Sequence, residues 1–238
     1  MFASDKMKGA SFMYFDWTIL LMLPGLLLGL WAQARVNSAY AKYSQVGTRS
    51  GVSAEVAVGQ LLRQNGAGDV AIQATQGQLT DHYDPTSNTL RLSQGVYGSS
   101  SIAALGIAAH EAGHALQKAQ NYPFLALRSL MVPVVNFGSK LSWPIFLAGI
   151  LFSFEPLMYV GIIAFALVVL FSLVTLPVEF DASRRAVAML NAGGFLTQEE
   201  ETGVRKVLSA AALTYVASFV SALLQLLRLV AILNRRRR

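Results

Sequence analysis

Four long apolar stretches punctuate this chain. The first runs from about Tyr14 to Ala34 and carries Trp17 and Trp31 near its ends, where amphipathic rings favour a membrane–water interface. The second, Ser129–Phe154, has an uncharged core of 14 residues, Leu141–Phe154, which is short for a span; the longer stretch suffices but holds Lys140 inside, where its ammonium must snorkel. The third, Pro156–Val178, has 23 uncharged residues and is the clearest span. The fourth, Val207–Leu227, has 21 and is followed by Arg228 and the tail Arg235–Arg238. A helix of roughly 20 apolar residues crosses a bilayer, so the pattern predicts about four transmembrane helices. Ala32-Gln33-Ala34 resembles a signal-peptide cleavage site. The first run exceeds a typical signal-peptide core, however, and its tryptophans suit a stable span, so a retained anchor is the better reading.

Between the first and second stretches the pattern turns polar and mixed. Ser53–Gln64 reads as an amphipathic helix with Val56, Val58, Leu61 and Leu62 apolar, ended by Asn65-Gly66-Ala67-Gly68. Val70–Thr75 reads as a strand. Leu79–Tyr83 and Thr89–Ser93 flank the turn chemistry of Asp84-Pro85-Thr86-Ser87-Asn88 and predict a hairpin. Ser99, Ser100 and Ser101 then offer N-caps for a further helix. The expected fold class is a mainly α, multi-pass membrane protein carrying a small α/β unit. Its expected organisation is a transmembrane helix at 13–34, the α/β unit at 50–122, a transmembrane hairpin at 129–178, a helix and loop at 179–206, and a last transmembrane helix with a basic tail at 207–233.

Composition sharpens this picture. Hydrophobic residues make up 54% of the 238 and charged residues 13%, about half the charged share of a soluble domain. The net charge of +6 comes largely from the Arg tail and from charges at span ends. Basic residues do not interleave with aromatics, so a nucleic-acid partner is not expected and attraction to membrane lipids is the simpler account. Lys6, Lys8 and the Arg tail share one face of the predicted topology, whereas Arg35, Lys42, Arg49, Arg184, Arg185, Arg205 and Lys206 crowd the other, so the charge count leaves the orientation open. There is no cysteine, which excludes disulfides and thiolate metal sites. No internal repeat of interrupted spans points to a transporter.

Against this background, His110-Glu111-Ala112-Gly113-His114 is the most informative segment, in a chain with three histidines. Two histidines four apart project from one helical face, so both imidazoles can reach one Zn²⁺ at about 2.0–2.1 Å. Glu111 sits beside them and could take a proton from a water on the metal. No Lys or Arg lies between Ser99 and Gln117, as suits a buried metal helix. Gly106 and Gly113 each lower helix propensity by about 1 kcal/mol relative to Ala, so close packing or a bound metal must favour them. A third protein ligand is needed. The candidates are His82, Glu155, Glu179, Asp181, Glu199, Glu200 and Glu201. Glu179 is the best placed, at the head of a helical segment directly after the third apolar run; the other reading is an acidic helix start balanced by Arg184 and Arg185. Asp181 would face elsewhere on that helix and could serve as an outer partner. If the second and third stretches form a membrane hairpin, Glu179 returns to the side of His110 and His114. Ligand assignment and span count therefore support each other.

The predicted hairpin lies immediately before the metal helix. Its edge could pair with an extended peptide and hold a scissile bond over the zinc, or it could merely support the helix. His82 could donate to the oxyanion of a tetrahedral intermediate or act as an alternative ligand; equally, it could fix the turn through Asp81, Asp84 or backbone. Tyr83 is a further donor candidate with a weaker case.

Several segments together resemble the bacterial membrane-bound neutral zinc metallopeptidases of the YugP-like family. They are Leu79-Thr80-Asp81-His82-Tyr83-Asp84-Pro85, Leu90-Arg91-Leu92-Ser93, Ser101-Ile102-Ala103-Ala104, Ala109 through Gln117, and Leu176-Pro177-Val178-Glu179-Phe180-Asp181-Ala182-Ser183. The resemblance covers nearly the whole chain. It implies a zinc-dependent endopeptidase related in logic to the membrane gluzincins, in which a Glu-x-x-x-Asp element after the spans supplies the third ligand. Glu179 matches that Glu, while Ser183 stands in the place of the Asp. The expected function is thus a membrane-embedded zinc metalloprotease binding one Zn²⁺ through His110, His114 and Glu179, with Glu111 as general base and a peptide or membrane protein as substrate. The alternatives are a zinc hydrolase of lipidic or lipidated substrates, or an inactive membrane scaffold.

Overall fold

The structure, a computed structural model, describes residues 17–236. A 3-10 segment, Trp17–Met22, leads into α1 (Leu23–Tyr43), followed by α2 (Ala54–Gln64), β1 (Ala71–Thr75), β2 (His82–Asp84), β3 (Thr89–Ser93), α3 (Ile102–Ala119), α4 (Pro123–Leu151), α5 (Glu155–Ala192) and α6 (Gln198–Arg236). The fold class is the one the patterning predicts. The expected start of the first span at residue 13 lies outside the described residues, as do Lys6, Lys8, Arg237 and Arg238.

Among the described residues, four helices are long and apolar enough to cross a membrane: Thr18–Tyr43, Pro123–Leu151, Glu155–Ala192 and Gln198–Arg236. Their outward faces stay apolar. Leu27, Leu30, Leu130, Phe137 and Leu151 are all more than half exposed, which suits contact with lipid rather than with water. Lys140 lies within α4 and is exposed.

The helices are longer than the apolar stretches that announce them. The third stretch and the segment opened by Glu179 belong to one uninterrupted helix, α5, of 38 residues. At 1.5 Å per residue, Glu155 to Glu179 covers about 36 Å, and a hydrocarbon core is about 30 Å thick. A span of that length would set Glu179 at the far membrane edge from the α4–α5 turn. That turn is tight, and Ser153 in it is left-handed at φ 50°. Glycines let α4 and α5 close on each other: a Cβ on Gly149 would lie 2.6 Å from Met158, and one on Gly161 2.8 Å from Phe146.

The α/β unit is the other half of the design. Ala57, Val58, Leu61 and Leu62 of α2, Leu90 and Leu92 of β3, and Leu105 and Ala108 of α3 share one buried core with Leu190 of α5 and Val204 of α6. The soluble core thus continues into the ends of the membrane helices. The sheet order is β1-β3-β2. β3 runs parallel to β1, from Ala71↔Thr89 to Thr75↔Ser93, and antiparallel to β2, from His82↔Arg91 to Asp84↔Thr89. The predicted hairpin is present, but its first strand is His82–Asp84 rather than Leu79–Tyr83. Leu79 sits at φ 55° and leaves the extended region. Asp81 spends its carboxylate on Ser93, whose N–H and hydroxyl each donate at 2.8 Å.

Ser101 caps α3, accepting from the Ala104 N–H at 3.2 Å. The helix is wedged against α5 and α6, and its two glycines lie at the crossings. A Cβ on Gly113 would come within 2.6 Å of the Ala182 carbonyl oxygen, and one on Gly106 within 3.2 Å of Val204. Close packing is what favours those glycines over better helix formers.

Candidate metal centre

His110 and His114 stand one turn apart on α3, their rings edge to face with centroids 4.8 Å apart. Across from them α5 presents Glu179. Its Oε2 lies 3.2 Å from Nε2 of His110 and 3.5 Å from Nε2 of His114. Glu179 is 2% exposed and His114 8%. The α4–α5 hairpin thus returns the carboxylate to the motif helix.

The outer nitrogens of both rings are tied down, which decides what the inner ones can do. Nδ1 of His114 faces Oε1 of Gln117 at 3.0 Å. The amide nitrogen of Gln117 donates to the Val178 carbonyl at 2.8 Å and to Asp181 Oδ2 at 2.9 Å. Two acceptors on that nitrogen fix the amide orientation, so Oε1 must receive a proton from His114 Nδ1. In the neutral ring the Nε2 lone pair then points at Glu179. Nδ1 of His110 meets the Ser183 hydroxyl at 3.1 Å, so Ser183 fills the outer role that an aspartate would take.

Two imidazole nitrogens and a carboxylate oxygen therefore converge, and a cation is what balances them. The three side chains bring one donor atom each to within 4.8 Å of one another and could hold a metal ion. Donors on a tetrahedral Zn²⁺ at about 2.0–2.1 Å stand roughly 3.3 Å apart, and the 3.2 and 3.5 Å separations match that edge. A set of two histidines and one glutamate leaves a fourth position open, as in catalytic zinc sites. The residues present fit the ion.

Glu111 lies on the same helix and turns into a cavity of about 320 Å³, which His114, Arg128, Glu179 and Tyr215 also line. Its Oε2 accepts from the Tyr83 N–H at 2.9 Å. Burial raises the Glu111 pKa above its ordinary value, although the neighbouring histidines oppose the shift. For His114 burial disfavours the charge, but the hydrogen bond the protonated ring donates to Glu179 and the charges of Glu111 and Glu179 outweigh it, and its pKa is raised. The Glu111 shift comes first from burial and the His114 shift from the two carboxylates around it, which place negative charge in a buried space that a bound cation would neutralise.

The other candidates fall elsewhere. His82 is exposed and lines the same cavity, with Nδ1 on the Thr80 carbonyl at 2.8 Å. That contact is the turn-fixing role the sequence left open. The Tyr83 hydroxyl is committed to Asn88 at 2.5 Å, so Tyr83 reaches Glu111 through its backbone. Asp181 orients Gln117 and pairs with Arg184 and Arg185. Glu155 opens α5, a membrane's width from the site. Glu200 and Thr197 cap α6 reciprocally, at 2.7 and 3.3 Å, and Glu201 pairs with Arg205.

Three cavity or support residues were missed in the sequence. Gln117 was legible, since it follows His114 by three residues and so shares its face. Arg128 precedes the second apolar stretch by one residue and has Nη2 4.0 Å from Glu179 Oε1. Tyr215 sets its phenol against Glu179 from the middle of the fourth stretch, where nothing local distinguishes it from a lipid-facing tyrosine.

Membrane-length helices, one of which closes a histidine pair on a neighbouring helix, define a membrane protein with a three-ligand candidate metal centre. The family model described as "Putative neutral zinc metallopeptidase" matches residues 18–234, and the chain belongs to that family. It is 48% identical over 214 residues to the "Putative membrane protease YugP" of Bacillus subtilis (strain 168), covering 90% of this chain and 95% of that protein. No solved structure matches it.

Proposed function

We propose that this protein is a membrane-embedded zinc endopeptidase holding one Zn²⁺ through His110, His114 and Glu179. The observation that carries the reading is the meeting of both Nε2 atoms at one Glu179 oxygen while both Nδ1 atoms are held from behind. When bound, the ion supplies Lewis acidity that polarises a carbonyl and acidifies a water towards a pKa of about 7.

The chain's own groups do the rest. Glu111, buried beside the ligands, takes a proton from the attacking water and delivers it to the leaving amine. Its raised pKa moves it towards the working range for both acts. Arg128 and Tyr215 line the cavity and are the donors placed to meet negative charge developing on the substrate; His82, whose Nδ1–H is held by the Thr80 carbonyl, would join them only as the imidazolium. β2 is the edge strand next to the motif helix, and its Tyr83 N–H donates to Glu111. That edge offers main-chain pairing to an extended peptide above the motif helix. Leu125 and Val132 of α4 wall the cavity from the membrane side, which favours substrates that are membrane proteins or their apolar segments. A lipidated substrate would use the same wall, and mass spectrometry of products from peptide and lipid pools separates the two. The proposed location is the bacterial plasma membrane, as a multi-pass integral protein.

Metal analysis and cleavage of casein or a membrane-protein substrate test the reading on wild type, Glu111→Gln and Glu179→Ala. Glu111→Gln should keep zinc and lose about 10²–10⁴-fold in turnover. Glu179→Ala should lose both zinc and turnover. Native cleavage rates in Glu111→Gln would overturn the mechanism.

A further inference from the structure

A second, larger cavity lies along α5 beside the metal centre. It is a groove of about 630 Å³ where α1, α5 and α6 meet, and the proposed peptidase chemistry makes no use of it. Its walls are apolar, with Phe180, Leu208, Ala212, Leu213 and Val216 among them. Three arginines also line it, Arg35 from α1, Arg184 from α5 and Arg205 from α6, and no Asp or Glu does. We propose that this groove binds an anionic phospholipid, with its phosphate held by the arginines and an acyl chain lying against α6.

The layout follows the membrane. Arg35 lies in the half of α1 nearer the α/β unit, Arg184 in the end of α5 beyond Glu179, and Arg205 in the first turns of α6. All three stand at the membrane face where the α/β unit sits. From Arg205 the lining runs down α6 through Leu208, Ala212 and Leu213 to Val216. Eleven residues at 1.5 Å each make a strip of about 16 Å, on the scale of an acyl chain, with its charged mouth at the headgroup level.

The arginines keep capacity for a phosphate. Arg184 pairs with Asp181 and Arg205 with Glu201, but their side chains remain 79% and 62% exposed. Their carboxylate partners are largely buried, at 4% and 24% exposed, so the pairs anchor the guanidiniums, but each guanidinium has five donors and keeps some for a phosphate. Arg35 stacks over Trp31, its guanidinium carbon 5.7 Å from the ring centroid, at the depth where an indole meets headgroups. Arginines converging on an apolar crevice between membrane helices form a basic pocket of the kind that takes anionic headgroups. The groove also backs onto the metal centre, because Ser183 lines it and contacts His110.

The test is native mass spectrometry of the full-length protein equilibrated with phosphatidylglycerol or with phosphatidylcholine, and circular dichroism checks that each variant remains helical. Wild type should retain phosphatidylglycerol at least about ten-fold more strongly than phosphatidylcholine. The exposed-site variant Arg35→Gln/Arg205→Gln should weaken phosphatidylglycerol on the order of ten-fold, from about one kcal/mol per arginine near a charged surface less what their present pairs offset. Ala212→Trp, which fills the groove and leaves all three arginines, should lose the bound lipid as well. Equal retention of the two lipids, or wild-type phosphatidylglycerol retention in either variant, would overturn the proposal. So would displacement of the lipid by inorganic phosphate or by a soluble acidic peptide.

Discussion

The side-chain oxygen of Gln117 lies 3.0 Å from Nδ1 of His114, and it selects which nitrogen of that ring faces Glu179. The amide itself is locked by the Val178 carbonyl and by Asp181. Groups that orient a metal-binding histidine typically contribute 10–100-fold in metal affinity. Gln117→Ala should therefore weaken zinc by about that factor without removing a ligand, as chelator competition will measure. Ser183→Ala should act in the same direction through His110.

Removing the metal should loosen the protein. Without the ion, only protons can bridge the two imidazole nitrogens and the buried carboxylate oxygen that face one another at 3.2 and 3.5 Å. A ligand that binds only the folded state stabilises it by about 4 kcal/mol at a thousand times its dissociation constant. Chelation should lower the thermal midpoint in detergent by several degrees, and added Zn²⁺ should restore it. An unchanged midpoint would mean that the three side chains do not bind the ion.

Gly113 governs how closely α3 approaches α5. A Cβ there would meet the Ala182 carbonyl oxygen at 2.6 Å, and rigid helix backbone cannot yield as a side chain would. Gly113→Val should cost about 1–3 kcal/mol by overpacking. It should also lower zinc stoichiometry, because it pushes Glu179 away from the histidines. Gly29 of α1 has nothing within 4 Å of its Cβ position. Gly29→Ala should stabilise by about 0.5–1 kcal/mol through backbone entropy.

Glu55 reports acid sensitivity outside the membrane. Its carboxylate accepts from the Ser53 hydroxyl at 2.6 Å and the Gly98 N–H at 2.8 Å, joining the start of α2 to the loop before α3. Burial alone would raise its pKa, but those hydrogen bonds prevail and hold it below 4.5. A depressed carboxylate stabilises the fold above its unfolded-state value, and that contribution is lost as pH falls through the folded-state value. Glu55→Gln should therefore lower the thermal midpoint at neutral pH, and its difference from wild type should shrink below about pH 4.5. A difference that is constant with pH would rule out this role for the carboxylate.

The local code was legible wherever a pattern needs few partners. The spacing of His110 and His114 places both rings on one face of any helix. The apolar runs announced every membrane-length helix, and Ser101 announced the start of α3. The shortened strand β2 was not legible, because the left-handed Leu79 and the Asp81–Ser93 bonds override a sequence that alternates well enough for a strand. Nor was the continuity of α5 through Glu179. Charge marks where a span leaves lipid, not where a helix ends.

By itself, then, the sequence determined the helix that carries His110 and His114, the membrane-length segments and the short roll of carboxylates able to face that pair, because each depends on periodicity or on side-chain chemistry within a few residues. Tertiary structure alone decided that Glu179 faces the two histidines while Asp181 stands behind it, that Ser183 meets the His110 ring, and that Arg128 and Tyr215 share the cavity. Those outcomes depend on how α3, α4, α5 and α6 cross, and the crossings are set by close contacts such as Gly113 on Ala182, between residues 69 apart in the chain.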